Sequence, residues 1–261
     1  MTRDGVTWQP ECYLQFDAER TRPAADLLAR VPLAAPGRVA DLGCGPGNAT
    51  ALLRARWPEA EILGLDSSPD MIDKARAGGV EADWQVADIA AWRPERPYEL
   101  IYSNATLHWL PDHQALFPRL LSTVATGGCL AVQMPGNFDA PSHRSLAATA
   151  AEGPWAASLD GVLRESPVAP LEVYYDLLAA GSARLDMWQT TYMQLLDGED
   201  PVYAWMSGTA LRPVLDKLSE DHLPAFKAAL CRRLAEAYPR RPDGRTLFPF
   251  RRLFMVAIKP A

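Results

Sequence analysis

Asp41-Leu42-Gly43-Cys44-Gly45-Pro46-Gly47-Asn48 is the segment that most narrows the folds open to this chain. It follows a short apolar run, Arg38 to Leu42, that reads as a buried strand. It precedes a helical pattern from Ala49 to Trp57, with Leu52, Leu53 and Trp57 on one side and Pro58 closing it. Glycines between a strand and a helix let a ligand approach the backbone and leave the first N–H groups of the helix facing it.

The same alternation continues. Glu61 to Asp66 reads as a second strand, and Ser67 or Ser68 as the cap of a helix with Pro69 in its first position. Trp84 to Asp88, Tyr98 to Asn104 and Cys129 to Met134 read as three further strands, with a helix from Phe117 to Val124 between the last two. Upstream, Leu27, Leu28 and Val31 recur at helical spacing, and Pro23 suits the first turn of that helix. Strands and helices alternating at this spacing imply βαβ units and a parallel sheet covered on both faces. Beyond Pro135 the pattern loosens: a helix from Tyr174 to Ala180, a strand from Arg184 to Leu195, a mostly helical stretch from Pro201 to Tyr238, and a last strand from Phe248 to Ile258. The expected organisation is a ligand-binding α/β core over 1–135, a helical cap with sheet-completing elements over 136–246, and a final core strand over 247–261.

Charge and composition exclude several function classes. The 26 basic and 32 acidic residues give a net charge of −6, the wrong sign for a general nucleic-acid binder. No run approaches the length of a membrane span, and the N-terminus carries no apolar leader, so the expectation is a cytoplasmic protein. Cys12, Cys44, Cys129 and Cys231 are far apart and read as free thiols in a reducing compartment, and no His or Cys pair has zinc-ligand spacing. A monomer is the default for 261 residues with no apolar stripe.

The glycine loop departs from the dinucleotide pattern G-x-G-x-x-G, which requires glycine where Asn48 stands. The carboxylate of Asp41, two residues ahead of the first glycine, suits a ligand that brings an amino group to the strand end. D-x-G-x-G-x-G resembles motif I of the class I S-adenosylmethionine methyltransferases, and the companions line up in order. Asp66 ends the second strand, Asp88 ends the third with Ile89 after it, and Asn104-Ala105 stands at the end of the fourth. The resemblance implies a Rossmann-like fold with a mostly parallel seven-stranded sheet, and S-adenosylmethionine as cofactor with no metal. It assigns Asp66 to the ribose hydroxyls, Asp88 to the adenine amine, Asn104 to the methionine end and Arg22 to the cofactor carboxylate. Tyr13, Asp41, Gly43, Gly45, Ser67, Met71, Ile89 and Ala105 complete the implied cofactor set.

Longer stretches are more specific. Tyr13 to Phe16, Glu19 to Pro23, Asn104 to Asp112 (NATLHWLPD), Ala131 to Pro135 (AVQMP), Thr209 to Pro213 (TALRP) and Arg252 to Phe254 resemble the trans-aconitate 2-methyltransferase family over almost the whole chain. That resemblance implies transfer of a methyl group to one carboxylate of a small tricarboxylate. A carboxylate is already ionised at neutral pH, so the chemistry needs alignment, exclusion of water and a grip on the remaining charges, but no general base. Arginines and aromatic hydroxyls suit that grip. His108, Trp109, Tyr174, Arg212 and Arg252 are the substrate candidates, with Tyr175 and Trp205 beside them. Pro213 is expected to hold Arg212 out of helix geometry. On sequence alone the rivals are a methyltransferase with another small acceptor, a non-catalytic S-adenosylmethionine-binding protein, and a nicotinamide oxidoreductase.

Overall fold

The computed structural model describes residues 17–163 and 166–261, with side chains from residue 21 onward. These residues divide into two compact units. One comprises Ala18–Pro135, Pro167–Thr190 and Arg252–Ala261. The other comprises, among the described residues, Gly136–Ser166 and Thr191–Arg251.

The first unit is built on parallel strands. β1 (Arg38–Leu42), β2 (Glu61–Asp66), β3 (Asp83–Val86), β4 (Tyr98–Asn104), β5 (Val124–Pro135), β6 (Arg184–Leu196) and β7 (Thr246–Ile258) form a seven-stranded sheet in the order β3-β2-β1-β4-β5-β7-β6. β1 to β5 are mutually parallel, and β7 runs antiparallel to β5. β1 and β4 are buried along nearly their whole length because helices cover both faces. The helices of this unit are α1 (Asp17–Ala29), α2 (Asn48–Arg56), α3 (Pro69–Ala77), α4 (His113–Ser122) and α7 (Leu171–Leu178).

On one face, Leu42, Leu65, Ile101 and Val132 join Phe117 and Leu120 of α4 and Leu178 of α7 in a continuous apolar core. The other face carries Asp41, Gly64, Tyr102, Asn104 and Gln133, by the alternation of strand side chains and the cross-strand register. The Tyr102 hydroxyl donates to the Ala24 carbonyl at 2.6 Å, which ties α1 to this face. Trp84 on β3 leans over β2 and occupies the space a side chain at Gly64 would need: a Cβ there would lie 2.3 Å from the indole.

The second unit holds α5 (Pro141–Ala151), α6 (Ala156–Leu159), α8 (Pro201–Ser207), α9 (Arg212–Leu215) and α10 (Leu223–Ala237). Its own core contains Trp155, Trp205, Phe226, Tyr238 and Phe248, with Trp155 edge-on to Phe226 at 5.2 Å. The Tyr238 hydroxyl accepts the Ser142 N–H at 3.0 Å and so satisfies one open donor at the start of α5.

Several local expectations change. Pro23 lies inside α1, because the helix begins upstream at Asp17; its missing N–H removes one rung instead of opening the helix. β3 stops at Val86, so Asp88 sits beyond the strand and not in it. α4 starts at His113 because the Asp112 carboxylate caps it through Ala115 N–H. Arg212 opens α9, contrary to the expectation that Pro213 excludes it from a helix. Pro213 falls in the first turn, where no amide is required.

Gly64→Ala is expected to destabilise the protein by about 1–3 kcal/mol through the indole clash, read as a lower thermal midpoint. In a Trp84→Leu background the same substitution should cost clearly less, and equal costs in both backgrounds would contradict this packing.

Candidate active site

Parallel register puts the C-terminal ends of β1, β2, β3 and β4 at one edge of the sheet. Leu42 pairs with Leu65, Asp66 with Val86, and Asn104 with Gln133. The loop after β1 turns through three residues of positive φ, Gly43 (75°), Gly45 (54°) and Gly47 (93°). Two of these glycines answer to packing within the unit. A Cβ on Gly43 would strike the Thr106 side chain at 2.0 Å, and one on Gly47 would lie 3.0 Å from Trp84. Gly45 faces open space, with nothing within 4 Å of a Cβ built there, so a ligand can lie against its backbone.

Asp66 fixes the shape of this loop. Its Oδ2 accepts the Gly45 N–H at 2.9 Å and its Oδ1 accepts the Ser68 N–H at 2.9 Å. Ser68, not Ser67, caps α3, its Oγ accepting the Met71 N–H at 3.4 Å; Ser67 is exposed and Met71 half-buried. Beyond β3, Asp88 is exposed and its Oδ1 accepts the Ala90 N–H at 2.8 Å, while Ile89 is packed in the core. Beyond β4, Ala105 adopts φ 53° and donates its N–H to the Gln133 carbonyl at 2.9 Å. A left-handed conformation in a residue with a Cβ is strain of the kind that collects at functional sites.

Asp41 is completely buried at the end of β1. Its Oδ2 accepts the Thr50 hydroxyl at 2.7 Å, and its Oδ1 has no hydrogen-bond partner. Burial pushes its carboxyl up to about 7, with the Thr50 hydrogen bond opposing and the Asp66 charge adding. Asn104 Oδ1 is likewise buried and unpartnered. These two acceptors lie on one sheet face at the edge of the glycine loop, so the fold leaves a place for a ligand that carries N–H donors. That is the fit expected for the amino-acid end of S-adenosylmethionine.

His108 and Trp109 sit in a 3-10 turn, Leu107–Trp109, with ring centroids 4.6 Å apart. Trp109 is 55% exposed, so it is not a core residue. His108 is held near 3 by burial first, then by the charge of Arg252 and by His113, and is therefore a neutral imidazole at physiological pH. Arg252, on β7, is only 8% exposed.

One of the sequence candidates, Tyr174, lies on the opposite face of the sheet. The Tyr174 hydroxyl is hydrogen-bonded to His113 Nδ1 at 2.6 Å and accepts the Ala169 N–H at 3.1 Å, within the apolar core on the α4 side of the sheet. Arg212 belongs to the second unit, where it pairs with Asp216 at 3.2 Å. Arg22 is on the surface of α1, 3.9 Å from Asp26. Tyr13 falls outside the described residues, as does Cys12. Thr50 and Gln133 were not among the candidates. The signal for Thr50 was a hydroxyl in the first turn after the glycine loop; the one for Gln133 was a lone amide in the apolar run AVQMP.

A methyltransferase-domain family model matches residues 16–212. A trans-aconitate 2-methyltransferase of Azoarcus sp. (strain BH72) is 51% identical over 253 residues, covering 97% of this chain and 99% of that protein. The YcgJ protein from Bacillus subtilis superposes with a TM-score of 0.60 at 13% identity, over 92% of this chain and 99% of that one. The Haemonchus contortus phosphoethanolamine N-methyltransferase 2, solved in complex with S-adenosyl-L-methionine, superposes with a TM-score of 0.55 at 15% identity, over 92% of this chain and 53% of that one. The fold is that of the class I methyltransferases.

The Asp41 carboxyl gives a pH signature. Its value in the folded state lies above the ordinary carboxylate value of 3.8, so it adds stability below about pH 4 that is lost as pH rises through about 7. Asp41→Asn keeps an acceptor for Thr50 and should flatten that decline. From pH 5 to pH 8, the ligand-free wild type should lose more stability in urea titrations than the variant; parallel losses would contradict a buried, protonated Asp41.

Taken together, the loop geometry and the half-identity along nearly the full length mean that the chain belongs to the trans-aconitate 2-methyltransferase family.

Proposed function

We propose that this protein transfers a methyl group from S-adenosylmethionine to one carboxylate of trans-aconitate, giving the monomethyl ester. The observation that carries the acceptor is the 51% identity to the Azoarcus relative along 97% of the chain. When bound, S-adenosylmethionine supplies a methyl group on a positively charged sulfur, an electrophile that an ionised carboxylate attacks without prior deprotonation.

The residues at the sheet edge suit that division of labour. Asp66 and the Gly45 backbone present an acidic group and open main chain for the nucleoside. Asp41 and Asn104 present buried acceptors for the amino group. Ser67 and Met71 at the start of α3 and Asp88 in the turn after β3 are in line with an adenine site, with Ile89 packed into the core beneath that turn. On the acceptor side, Arg252 is a buried cation on β7 for a carboxylate, and His108 beside it is neutral. A histidine held near 3 is a poor proton acceptor for an alcohol or amine but a good hydrogen-bonding partner, which favours an acceptor that arrives already ionised.

The same reading makes the protein a cytoplasmic monomer with a small tricarboxylate as its partner. The acidic balance and the free thiols of Cys44, Cys129 and Cys231 support it. No described helix is long and apolar enough to cross a membrane.

Methyl transfer from labelled S-adenosylmethionine to trans-aconitate, citrate and cis-aconitate tests the assignment. Trans-aconitate should be preferred at least tenfold in kcat/KM, about the factor that one well-placed charged contact supplies, and at saturating S-adenosylmethionine that kcat/KM should be flat between about pH 6.5 and 8.5. Equal turnover of unrelated acids would reject the acceptor. Cofactor binding with no transfer to any acid would favour a binding protein instead.

A further inference from the structure

We propose that Gln133 holds the reacting carboxylate of the acceptor, its side-chain N–H donating to a carboxylate oxygen. The inference rests on the reading above, that the acceptor is a carboxylic acid, and adds the residue that positions it.

Gln133 is completely buried near the C-terminal end of β5, and neither its Oε1 nor its Nε2 has a hydrogen-bond partner. The strand around it is otherwise apolar: Leu130, Ala131, Val132 and Met134 are all buried. A buried primary amide with both its donors and its acceptor unmet is a costly choice where methionine or leucine would fill the same space. Such a group is retained where a ligand completes it.

The register says what that ligand meets. Gln133 pairs with Asn104 on β4 and with Phe254 on β7, while Pro135 pairs with Arg252. Paired residues, and residues two apart, share a face of the sheet. Asn104, Gln133 and Phe254 therefore form one row, and Arg252 lies in the next row on the same face. Phe254 is stacked on Trp188, centroids 4.7 Å apart and planes 6° apart, which walls the far side of the row with apolar rings. Neighbouring strands are about 4.8 Å apart, so Gln133 stands one strand from the Asn104 oxygen assigned to the cofactor's amino-acid end and diagonal to a buried guanidinium. A group between the two is placed where an anion would approach the cofactor. The nearby positive charge of Arg252 favours a carboxylate there over an amine.

Gln133→Met tests this, because it keeps the volume and removes the amide. Without ligands, the variant's thermal midpoint should be equal to or higher than that of the wild type. S-adenosylmethionine affinity by calorimetry should stay within twofold. Trans-aconitate binding to protein loaded with S-adenosylhomocysteine, and kcat/KM for methyl transfer, should both fall about 10- to 100-fold. Gln133→Glu, which sets a carboxylate against the acceptor, should lose more than Gln133→Met. Unchanged acceptor binding and kcat/KM in a folded Gln133→Met protein would overturn the proposal. So would a loss confined to cofactor affinity. If the wild type esterifies a different acid, the reading of the substrate fails while the same comparison on that acid still decides the role of Gln133. Absence of transfer by the wild type to any carboxylate would overturn both.

Discussion

The Asp66 carboxylate does two structural jobs at once, and the cofactor edge depends on them. It takes the Gly45 N–H on one oxygen and the Ser68 N–H on the other. The first bond holds the glycine loop in its open turn; the second sets the entry to α3, whose cap is Ser68 itself. A single side chain thus couples the ends of β1 and β2 through two hydrogen bonds to backbone N–H groups. The group proposed to take the ribose is thus already fixed by the fold, which is how a site on rigid elements keeps its geometry.

Around that anchor the sheet edge concentrates polar groups that the rest of the core avoids. Asp41 Oδ1, Asn104 Oδ1 and both amide atoms of Gln133 are buried without partners, all on one face. Ala105, in a left-handed conformation, lies beside them. The opposite face of the same strands is packed by Phe117, Leu120 and Leu178, and its buried Ser103 is satisfied by the Leu42 carbonyl. The asymmetry separates roles: one face stabilises the unit, and the other gives up stability to leave hydrogen-bonding capacity for ligands. A neutral His108 next to Arg252 fits chemistry that positions an ionised acceptor instead of generating one.

The features legible in the sequence were those encoded by neighbouring residues. The glycine loop, the acidic end of β2 and the Pro69 helix start are each contained in a few consecutive positions, and the alternation of strands and helices follows from apolar periodicity. What the sequence hid depends on pairing across the sheet or on partners distant in the chain. The amide of Gln133 acquires meaning only once β5 is in register with Asn104 and β7. Tyr174 looked like a substrate hydroxyl, but its partner is His113, 61 positions away. Thr50 matters because α2 brings it back onto Asp41. At Pro213 the local rule about the residue before proline yields to helix-start geometry, where a missing amide carries no cost.

A crystal structure of the protein with S-adenosylhomocysteine and trans-aconitate is the most direct test of these assignments. In it the ribose hydroxyls should lie at Asp66, the amino group at Asp41 and Asn104, and one acceptor carboxylate against Gln133 on the Arg252 side. A cofactor whose ribose lies away from Asp66, or an acceptor held by other residues with Gln133 still unpartnered, would contradict them.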